Sequence, residues 1–265
     1  MSLHDRVVWI TGASSGIGEA LIAPLVARGA RVAISSRRAD RLGALAAEWT
    51  ARGGDVRAFP LDVTDRAATH AVVAAIESAF GRIDVAVLNA GNHAAGSGRR
   101  FDAQQYVDNI TLNYIGAVYG IEAVLPAMLA RGEGHIAGMS SLAGYRAIPS
   151  AGAYGASKAA LTHMLDAIRF DLQPLGITIT NVAPGFIKTP LTDRNRFPMP
   201  FLMPVDRAAA IIVAGLERRS REIHFPKPLS WALKLLRVLP YPLYQRIIHR
   251  ATRGRRLAKD AEITR

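Results

Sequence analysis

Short apolar runs alternate with longer helical segments along this chain, and that alternation constrains the fold more than any other feature. The runs are four to six residues long and rich in Val, Ile and Ala. Strands that alternate with helices form a parallel sheet, because each helix carries the chain back to the edge where the next strand begins. We therefore predict an α/β fold with a doubly wound parallel sheet, its strands at 6–10, 31–35, 56–61, 83–88, 135–139, 177–182 and 222–225.

The composition limits the class of protein further. Half of the 265 residues are hydrophobic, which suits one large domain whose sheet is covered on both faces. The absence of cysteine excludes disulfides and thiolate metal ligands, and we expect no metal site. The first ten residues run straight into a strand, so we expect no signal peptide. No uninterrupted apolar run reaches about 18 residues, so we expect no membrane span and a cytoplasmic location.

Positive charge is concentrated at one end of the chain. The formal net charge is +12, and from Lys227 onward there are ten Lys and Arg against two acids. The composition changes only at Pro226, and no internal repeat interrupts the sequence before it. We therefore predict a principal domain at 1–225 and a basic extension at 226–265.

A glycine-rich turn follows the first predicted strand. It runs from Thr11 to Gly18 with the sequence TGASSGIG and leads into a helical run. Glycine lets a pyrophosphate approach the backbone, and free N–H groups at a helix N-terminus favour anions. The strand before it and the helix after it make a turn without a ligand the weaker interpretation. The cofactor-binding candidates in the turn are Gly12, Ser14, Ser15, Gly16, Ile17 and Gly18.

The stretch from 139 to 161 carries a tyrosine and a lysine that a helix would place side by side. Tyr154 and Lys158 are four residues apart, about one helical turn, and Ser141 precedes the tyrosine by 13 residues. A neighbouring ammonium stabilises a phenolate, and lowering a tyrosine pKa from about 10 to about 7 takes about 4 kcal/mol. A tyrosine tuned in this way is a general acid or base. Without other signals, the pair would more often be a packed ring and a solvated amine.

Together these features resemble motifs of the short-chain dehydrogenase/reductase family: T-G-x-x-x-G-x-G, and a serine followed by Tyr-x-x-x-Lys. The resemblance covers about residues 7 to 225 and is to the single-domain, non-extended branch. It implies a Rossmann-type fold, a nicotinamide cofactor and interconversion of a carbonyl and an alcohol. It also implies that Tyr154 transfers the proton, that Ser141 rather than Ser140 binds the reacting oxygen, and that Lys158 lowers the pKa of Tyr154 and holds the nicotinamide ribose.

Other positions match family motifs residue by residue. Asn113, with a glycine three residues later, matches the asparagine that supports a proton-relay water, and Asn109 is the competing candidate. The run after Leu88 matches N-N-A-G with leucine in the first place. The resemblance implies cofactor contacts, besides those of Tyr154 and Lys158, from Asp62, Val63, Asn89, Ala90, Gly91, Pro184, Gly185, Ile187 and Thr189.

The end of the second predicted strand indicates which cofactor binds. NAD-binding proteins have an acid there for the ribose 2′-OH, whereas arginine accommodates a 2′-phosphate. Here the residues are Ser36, Arg37 and Arg38, and a planar guanidinium suits bidentate phosphate binding. We predict NADP(H), with Arg37 as the main contact; the alternative is two solvated surface arginines.

The substrate is predicted to be an apolar small molecule. The segment 191–205 has three prolines, so it cannot be a regular helix, and we interpret it as a lid carrying Phe197, Met199, Phe201, Leu202 and Met203. We interpret His93 as an incidental loop histidine. Two other functions stay open: an NADPH-binding regulator or scaffold without turnover, and a nucleic-acid binder. No nucleic-acid module is recognisable, so we expect no nucleic-acid partner.

The basic extension contains two amphipathic segments. In 229–239, Ser230, Lys234 and Arg237 form one polar stripe on an otherwise apolar helix, and a second apolar face follows Pro242. Apolar faces bordered by Lys and Arg are typical of helices on anionic membranes, so 229–256 predicts peripheral contact with the inner face of a membrane. The alternative is that these faces pack on the substrate region or on another subunit. The resemblance also implies a homodimer or homotetramer.

Overall fold

A parallel sheet forms the centre of the protein, whose computed structural model describes residues 1–93, 98, 101–195 and 198–251. The strands are β1 (Val7–Thr11), β2 (Arg31–Ser35), β3 (Val56–Ala58), β4 (Val85–Leu88), β5 (Gly134–Met139), β6 (Ile177–Pro184), β7 (Ile187–Lys188), β8 (Met203–Pro204) and β9 (Glu222–Phe225). Seven of them pair in the order β3-β2-β1-β4-β5-β6-β9, all parallel. The predicted doubly wound parallel sheet is confirmed.

Helices cover both faces of this sheet. They are α1 (Gly16–Ala20), α2 (Ile22–Val26), α3 (Ala39–Ala51), α4 (Arg66–Phe80), α5 (Ala103–Ile110), α6 (Gly116–Arg131), α7 (Gly152–Leu172), α8 (Val205–Glu217), α9 (Lys227–Val238) and α10 (241–251). Residues of α2, α3 and α8 pack in one buried cluster, and residues of α4, α6 and α7 pack in the other. Strand β1 contributes alternate residues to both, Val8 and Ile10 to the first and Val7 and Trp9 to the second.

Three local features differ from the sequence-based expectation. The helical run after the glycine-rich turn is divided into α1 and α2 around Leu21, because Pro24 has no N–H to donate to the carbonyl four residues earlier. Strand β3 ends at Ala58, before Pro60. A π-helical turn, Thr111–Ile115, joins α5 to α6 where a regular helix was expected.

The segment predicted to be a lid is partly built into the body of the domain. Met203 is buried in the core, because β8 pairs with β7, and Val205 begins α8. Phe201 and Leu202 are exposed, as a lid residue would be. Phe197 lies outside the described residues. A lid can therefore include Phe201 but not Met203.

Within the part of the chain that the structure describes, one helical stretch could cross a membrane by length and composition alone. It is Ala103–Arg131, which combines α5, the π-helical turn and α6. In the fold, α6 packs against α4, β4 and β5 in the second buried cluster. A core helix passes the same test, so this stretch gives only weak support for a span.

The sheet topology defines where a ligand would bind. The strand order reverses between β1 and β4, and ligands of open α/β sheets bind outside the carboxyl ends of the strands at such a point. β1 ends at the glycine-rich turn, and β4 ends at Leu88, directly before Asn89. Both predicted cofactor motifs therefore flank one crevice.

Candidate active site

The glycine-rich turn packs so closely on the end of β4 that side chains would not fit. A Cβ on Gly12, whose φ is +68°, would lie 2.8 Å from the Ala90 Cα, and a Cβ on Gly18 would lie 2.4 Å from the Gly12 carbonyl oxygen. Asn89 donates its amide N–H to the carbonyls of Thr11 at 3.0 Å and Gly12 at 3.3 Å. The structure thus brings the turn and the Asn89-Ala90-Gly91 run together, with the backbone accessible as a dinucleotide cradle requires.

The other predicted cofactor residues occupy several positions around this crevice and in the core beside it. A Cβ on Gly16 would be 3.4 Å from the methyl group of Thr189, so the loop after β6 faces the turn across the crevice. Val63, after β3, packs against Gly116. The rest of the turn comprises Ser15, which precedes α1, and Ile17, which is packed on the first buried cluster. Pro184 ends β6, Gly185 packs beside Leu142, and Ile187 begins β7.

Arg37 and Arg38 occupy different positions at the end of β2. Arg38 donates from Nε to the Ser14 hydroxyl at 3.1 Å and from its terminal nitrogen to the Ser14 carbonyl at 2.9 Å, and its backbone N–H donates to the hydroxyl of Ser36. Arg37 is exposed and lies 4.0 Å from the Asp62 carboxylate. Burial raises the pKa of Asp62, but hydrogen bonds from Thr64 and the charge of Arg37 outweigh it and lower that pKa overall. Two guanidinium groups therefore lie where an NAD-binding protein has an acid.

Ser141, Tyr154 and Lys158 converge at the carboxyl end of β5. Lys158 is buried and donates to the Met139 carbonyl at 2.7 Å, and its Nζ lies 5.8 Å from the centre of the Tyr154 ring. The Ser141 hydroxyl accepts from the Ala143 N–H at 3.1 Å and donates to the Pro184 carbonyl at 3.4 Å, and its polar contact with the phenol acts to lower the pKa of Tyr154. Ser140 instead donates to the Lys158 carbonyl and bonds to Thr162, so its hydroxyl is used in packing α7. Ser141 is the serine that faces the tyrosine.

Asn113 connects this cluster to the end of β4. It sits in the π-helical turn, is almost fully buried, and accepts from the Asn92 N–H at 2.8 Å while donating to the Asn92 carbonyl at 3.0 Å. A Cβ on Gly91 would lie 2.9 Å from the Asn113 amide oxygen and 3.2 Å from the Lys158 Nζ. Asn109 uses its amide to donate to the Gln105 carbonyl. The amide of Asn113 is therefore the one placed beside Lys158.

Comparisons with known proteins agree on one family. The "short chain dehydrogenase" family model matches residues 6–198. An "Uncharacterized oxidoreductase" of Myxococcus xanthus is 39% identical over 239 residues, which is 90% of this chain and 94% of that protein. The chain belongs to the short-chain dehydrogenase/reductase family. It is therefore an oxidoreductase of a family that binds a nicotinamide cofactor and acts on small molecules.

Solved structures share the fold of this short-chain dehydrogenase. Levodione reductase superimposes with a TM-score of 0.79 at 28% identity, covering 87% of this chain and 99% of that chain. A short-chain dehydrogenase/reductase from Burkholderia phymatum in complex with NAD superimposes with a TM-score of 0.82 at 23% identity, covering 89% and 94% of the two chains. At that identity the second likeness concerns the fold alone. The Rossmann-type architecture is thus shown.

Burial dominates the pKa shifts of Lys158 and Tyr154. It lowers the pKa of Lys158 to about 8 and raises the pKa of Tyr154, with the Ser141 hydrogen bond acting in the opposite direction on the tyrosine. The sequence predicted a lowered tyrosine pKa, and the structure gives a raised one. The reason is that Lys158 directs its ammonium at the Met139 carbonyl and is 5.8 Å from the ring centre, so desolvation outweighs its charge.

His93 is the residue that the sequence interpretation missed. Its ring meets the Tyr154 ring edge-on, with 4.8 Å between the centroids, and burial lowers its pKa. Its position two residues after the Asn89-Ala90-Gly91 run was the available signal, because the loop that leaves the carboxyl end of β4 borders the crevice. Among the described residues, no group of three or more His, Asp and Glu could hold a metal ion.

Proposed function

We propose that this protein is an NADPH-dependent oxidoreductase that interconverts a carbonyl and an alcohol on an apolar small molecule. The observation that supports this most is the grouping of Tyr154, Lys158 and Asn113 at the mouth of the glycine-lined crevice, where the Lys158 Nζ lies 5.8 Å from the centre of the Tyr154 ring and a Cβ on Gly91 would meet both Asn113 and Lys158. The cradle formed by Gly12, Gly16 and Gly18 fits a dinucleotide. A bound nicotinamide supplies the hydride chemistry, and the protein supplies position and protons.

Each of the four residues has a distinct role in this proposal. Tyr154 donates its proton to the carbonyl oxygen during reduction, and its raised pKa keeps the phenol protonated at neutral pH. Ser141 hydrogen-bonds to the same oxygen where negative charge develops. Lys158 binds the cofactor ribose, and Asn113 orders the water through which the proton is replaced.

NADPH is proposed over NADH because two arginines replace the expected acid. Arg38 is already oriented by Ser14, and Arg37 extends into solvent within reach of a 2′-phosphate. We expect Arg37→Asp to remove most of the preference for NADPH, since a charge-assisted bidentate pair is strong and the new acid repels phosphate. The control is Arg41→Ala, because Arg41 pairs with Glu19 at 2.5 Å instead. Equal use of NADH and NADPH by the wild-type enzyme would contradict the assignment.

The experiment that tests the function is a screen of ketones, aldehydes and alcohols with both cofactors, followed by nicotinamide absorbance. Turnover that Tyr154→Phe abolishes, while NADPH binding measured by fluorescence persists, is the expected result. Binding of NADPH without turnover of any substrate would instead favour the regulator or scaffold. Turnover that survives in Tyr154→Phe would exclude the proposed proton donor.

We further propose that the extension at 226–265 contacts an anionic membrane surface from the cytoplasmic side, while 1–225 is the NADP-binding catalytic domain. On α9 two residues of the predicted polar stripe face the protein: Ser230 is fully buried against His224, and Lys234 pairs with Glu222 at 2.5 Å, whereas Arg237 is exposed. Leu229 and Leu233 pack inward beside them, and a row of apolar residues faces outward, with Trp231, Leu235 and Val238 exposed by 61%, 65% and 75%. The membrane interpretation needs such an outward apolar row, whereas the alternative needs the apolar face to pack on the protein or on another subunit.

The positive charge of the extension indicates which partner this exposed face of α9 would contact. From Lys227 to residue 251 there are five Lys and Arg and no acid, so an anionic lipid surface complements both the charge and the apolar side chains. We expect full-length protein to sediment with phosphatidylserine vesicles at low salt and to be released at high salt. Replacing Trp231, Leu235 and Val238 by Gln should abolish sedimentation.

A matched control tests whether vesicle binding depends on the exposed apolar row of α9 or on any exposed apolar side chain. Leu175 is exposed by 53% and precedes the amino end of β6, whereas α9 follows the carboxyl end of the neighbouring strand β9, so Leu175→Gln should leave vesicle binding unchanged. Failure of the wild type to bind phosphatidylserine vesicles at low salt would exclude the membrane. If the triple variant instead lowers the oligomer mass measured by light scattering, α9 forms part of the contact in the proposed homodimer or homotetramer.

A further inference from the structure

The loop between Ser141 and Tyr154, residues 142–151, is fastened to the C-terminal helices by one arginine. Arg146 donates from a single guanidinium nitrogen to the carbonyls of Leu236, Arg237 at 3.0 Å and Leu239 at 2.9 Å. These are carbonyls at the C-terminal end of α9, where a helix has unsatisfied acceptors and the negative end of its dipole. The guanidinium therefore caps α9 from the loop.

Helix α10 contacts the same loop through Tyr244, which also packs against the Arg146 guanidinium. Tyr244 is 6% exposed, its hydroxyl donates to the Ala147 carbonyl, and its ring lies 4.0 Å from the Arg146 guanidinium carbon. A cation over an aromatic face adds to the attraction when the pair is desolvated. Arg146 thus joins α9, α10 and the loop at one point.

The neighbouring residue anchors the loop to the sheet. The Tyr145 hydroxyl donates to Glu222 of β9, which also pairs with Lys234 of α9. Burial and the neighbouring carboxylate raise the pKa of Tyr145, so its hydroxyl stays protonated and remains a donor. Leu142 and Tyr145 form a small buried cluster with Leu229 and Leu233 of α9. The extension is therefore one wall of the proposed active site.

We infer that Arg146 is a positioning residue for the reaction, holding the 142–151 loop so that Ser141 and Tyr154 keep their mutual geometry. This inference rests on the proposed function. The loop has Ser141 at one end and Tyr154 just beyond the other, so any displacement of the loop changes the distance between the two hydroxyls. Arginine suits the role because its planar guanidinium can bond to several carbonyls and stack on a ring at the same time.

The test compares Arg146→Ala, Arg146→Lys and Tyr244→Phe with a matched control, Arg52→Ala. Arg52 also lies at a helix C-terminus, with its guanidinium 5.0 Å from the Trp49 ring, but on α3. We expect Arg146→Ala to lower kcat about 10- to 100-fold, the scale of a misplacement of about 1 Å. The Kd for NADPH should stay unchanged, Arg146→Lys should restore only part of kcat, and Tyr244→Phe should lower kcat less than Arg146→Ala.

Hydrogen exchange measures the positioning directly. In Arg146→Ala the amides of 142–151 should exchange faster while those of β5 and β6 keep wild-type protection, and Arg52→Ala should change neither kcat nor this exchange. Wild-type kcat in Arg146→Ala, or unchanged exchange in the loop, would overturn the inference, as would faster exchange throughout β5 and β6. If no carbonyl or alcohol is turned over by the wild type, the proposed function fails, and the exchange experiment still decides whether Arg146 holds the loop.

Discussion

Lys158 allows a test in which stability and activity should move in opposite directions. The residue is 3% exposed, and burial lowers its pKa from 10.5 to about 8. Its ammonium donates to the Met139 carbonyl, and no carboxylate among the described residues is paired with it. A buried cation held in this way is retained at the expense of folding free energy. We therefore predict that Lys158→Met stabilises the fold while abolishing turnover.

The size of the expected stabilisation follows from the lowered pKa of Lys158. Lowering it from 10.5 to about 8 corresponds to about 3 kcal/mol of differential free energy. Because the unfolded chain holds the proton more tightly, this destabilisation is complete below pH 8 and disappears above pH 10.5. The variant also loses the hydrogen bond to Met139, worth about 1 kcal/mol. The expected net gain in the free energy of unfolding at pH 7 is about 2 kcal/mol.

Urea unfolding across pH measures this directly. The advantage of Lys158→Met should be constant below pH 8 and should shrink between pH 8 and 10.5, because the wild type gains stability there as Lys158 loses its proton. The control is Lys188→Met, since Lys188 is exposed and its loss should alter neither stability nor its pH dependence. A Lys158→Met variant that is less stable than the wild type at pH 7, or that keeps the wild-type pH dependence, would refute the reasoning.

Three further changes test other parts of the site. Gly18→Ala should cost about 1–3 kcal/mol in unfolding free energy and weaken NADPH binding, because the new methyl group would meet the Gly12 carbonyl. The control is Gly43→Ala on α3, where a new methyl group would have no neighbour within 4 Å and should be neutral or stabilising. Phe201→Ala should raise KM for a large apolar substrate more than for a small one; equal effects would mean that the segment only packs on the body. Asn113→Ala should lower kcat and accelerate exchange at residues 91–93, since it removes two hydrogen bonds to Asn92; unchanged kcat would remove it from the proton relay.

The sheet could be predicted from the sequence because its signal is local. Buried parallel strands are continuous apolar runs, so each strand is visible by itself, and the alternation with helices then fixes the parallel topology. The two-residue strands β7 and β8 were not predictable, since a pair of residues has no periodicity. The π-helical turn was also invisible, because one extra residue in a helical turn leaves the composition unchanged.

Site residues that belong to a sequence motif could be predicted, whereas contacts between loops that are distant in the sequence could not. The spacing of Tyr154 and Lys158 on α7 identified both, and the glycines identified the turn. The contact of His93 with Tyr154 depends on the path of a loop, and the hydrogen bonds from Arg38 to Ser14 depend on how β2 lies beside β1. The direction of the Tyr154 pKa was mispredicted for the same reason, because spacing places the lysine nearby without saying where its ammonium points.

The orientation of α9 shows which interactions determine the packed face of an amphipathic helix at the edge of a sheet. The polar stripe predicts that the helix is amphipathic, but it does not predict which face meets the protein. At the edge of the sheet, β9 presents Glu222 and His224, which would lose Lys234 and Ser230 as partners if the helix were turned. Leu229 and Leu233, on the same side of the helix, pack against Leu142 and Tyr145. These contacts therefore determine the orientation and leave Trp231, Leu235 and Val238 outside. An apolar row exposed in this way, beside basic residues, is stabilised by a surface that is both apolar and anionic, and this is why lipid is the partner we propose.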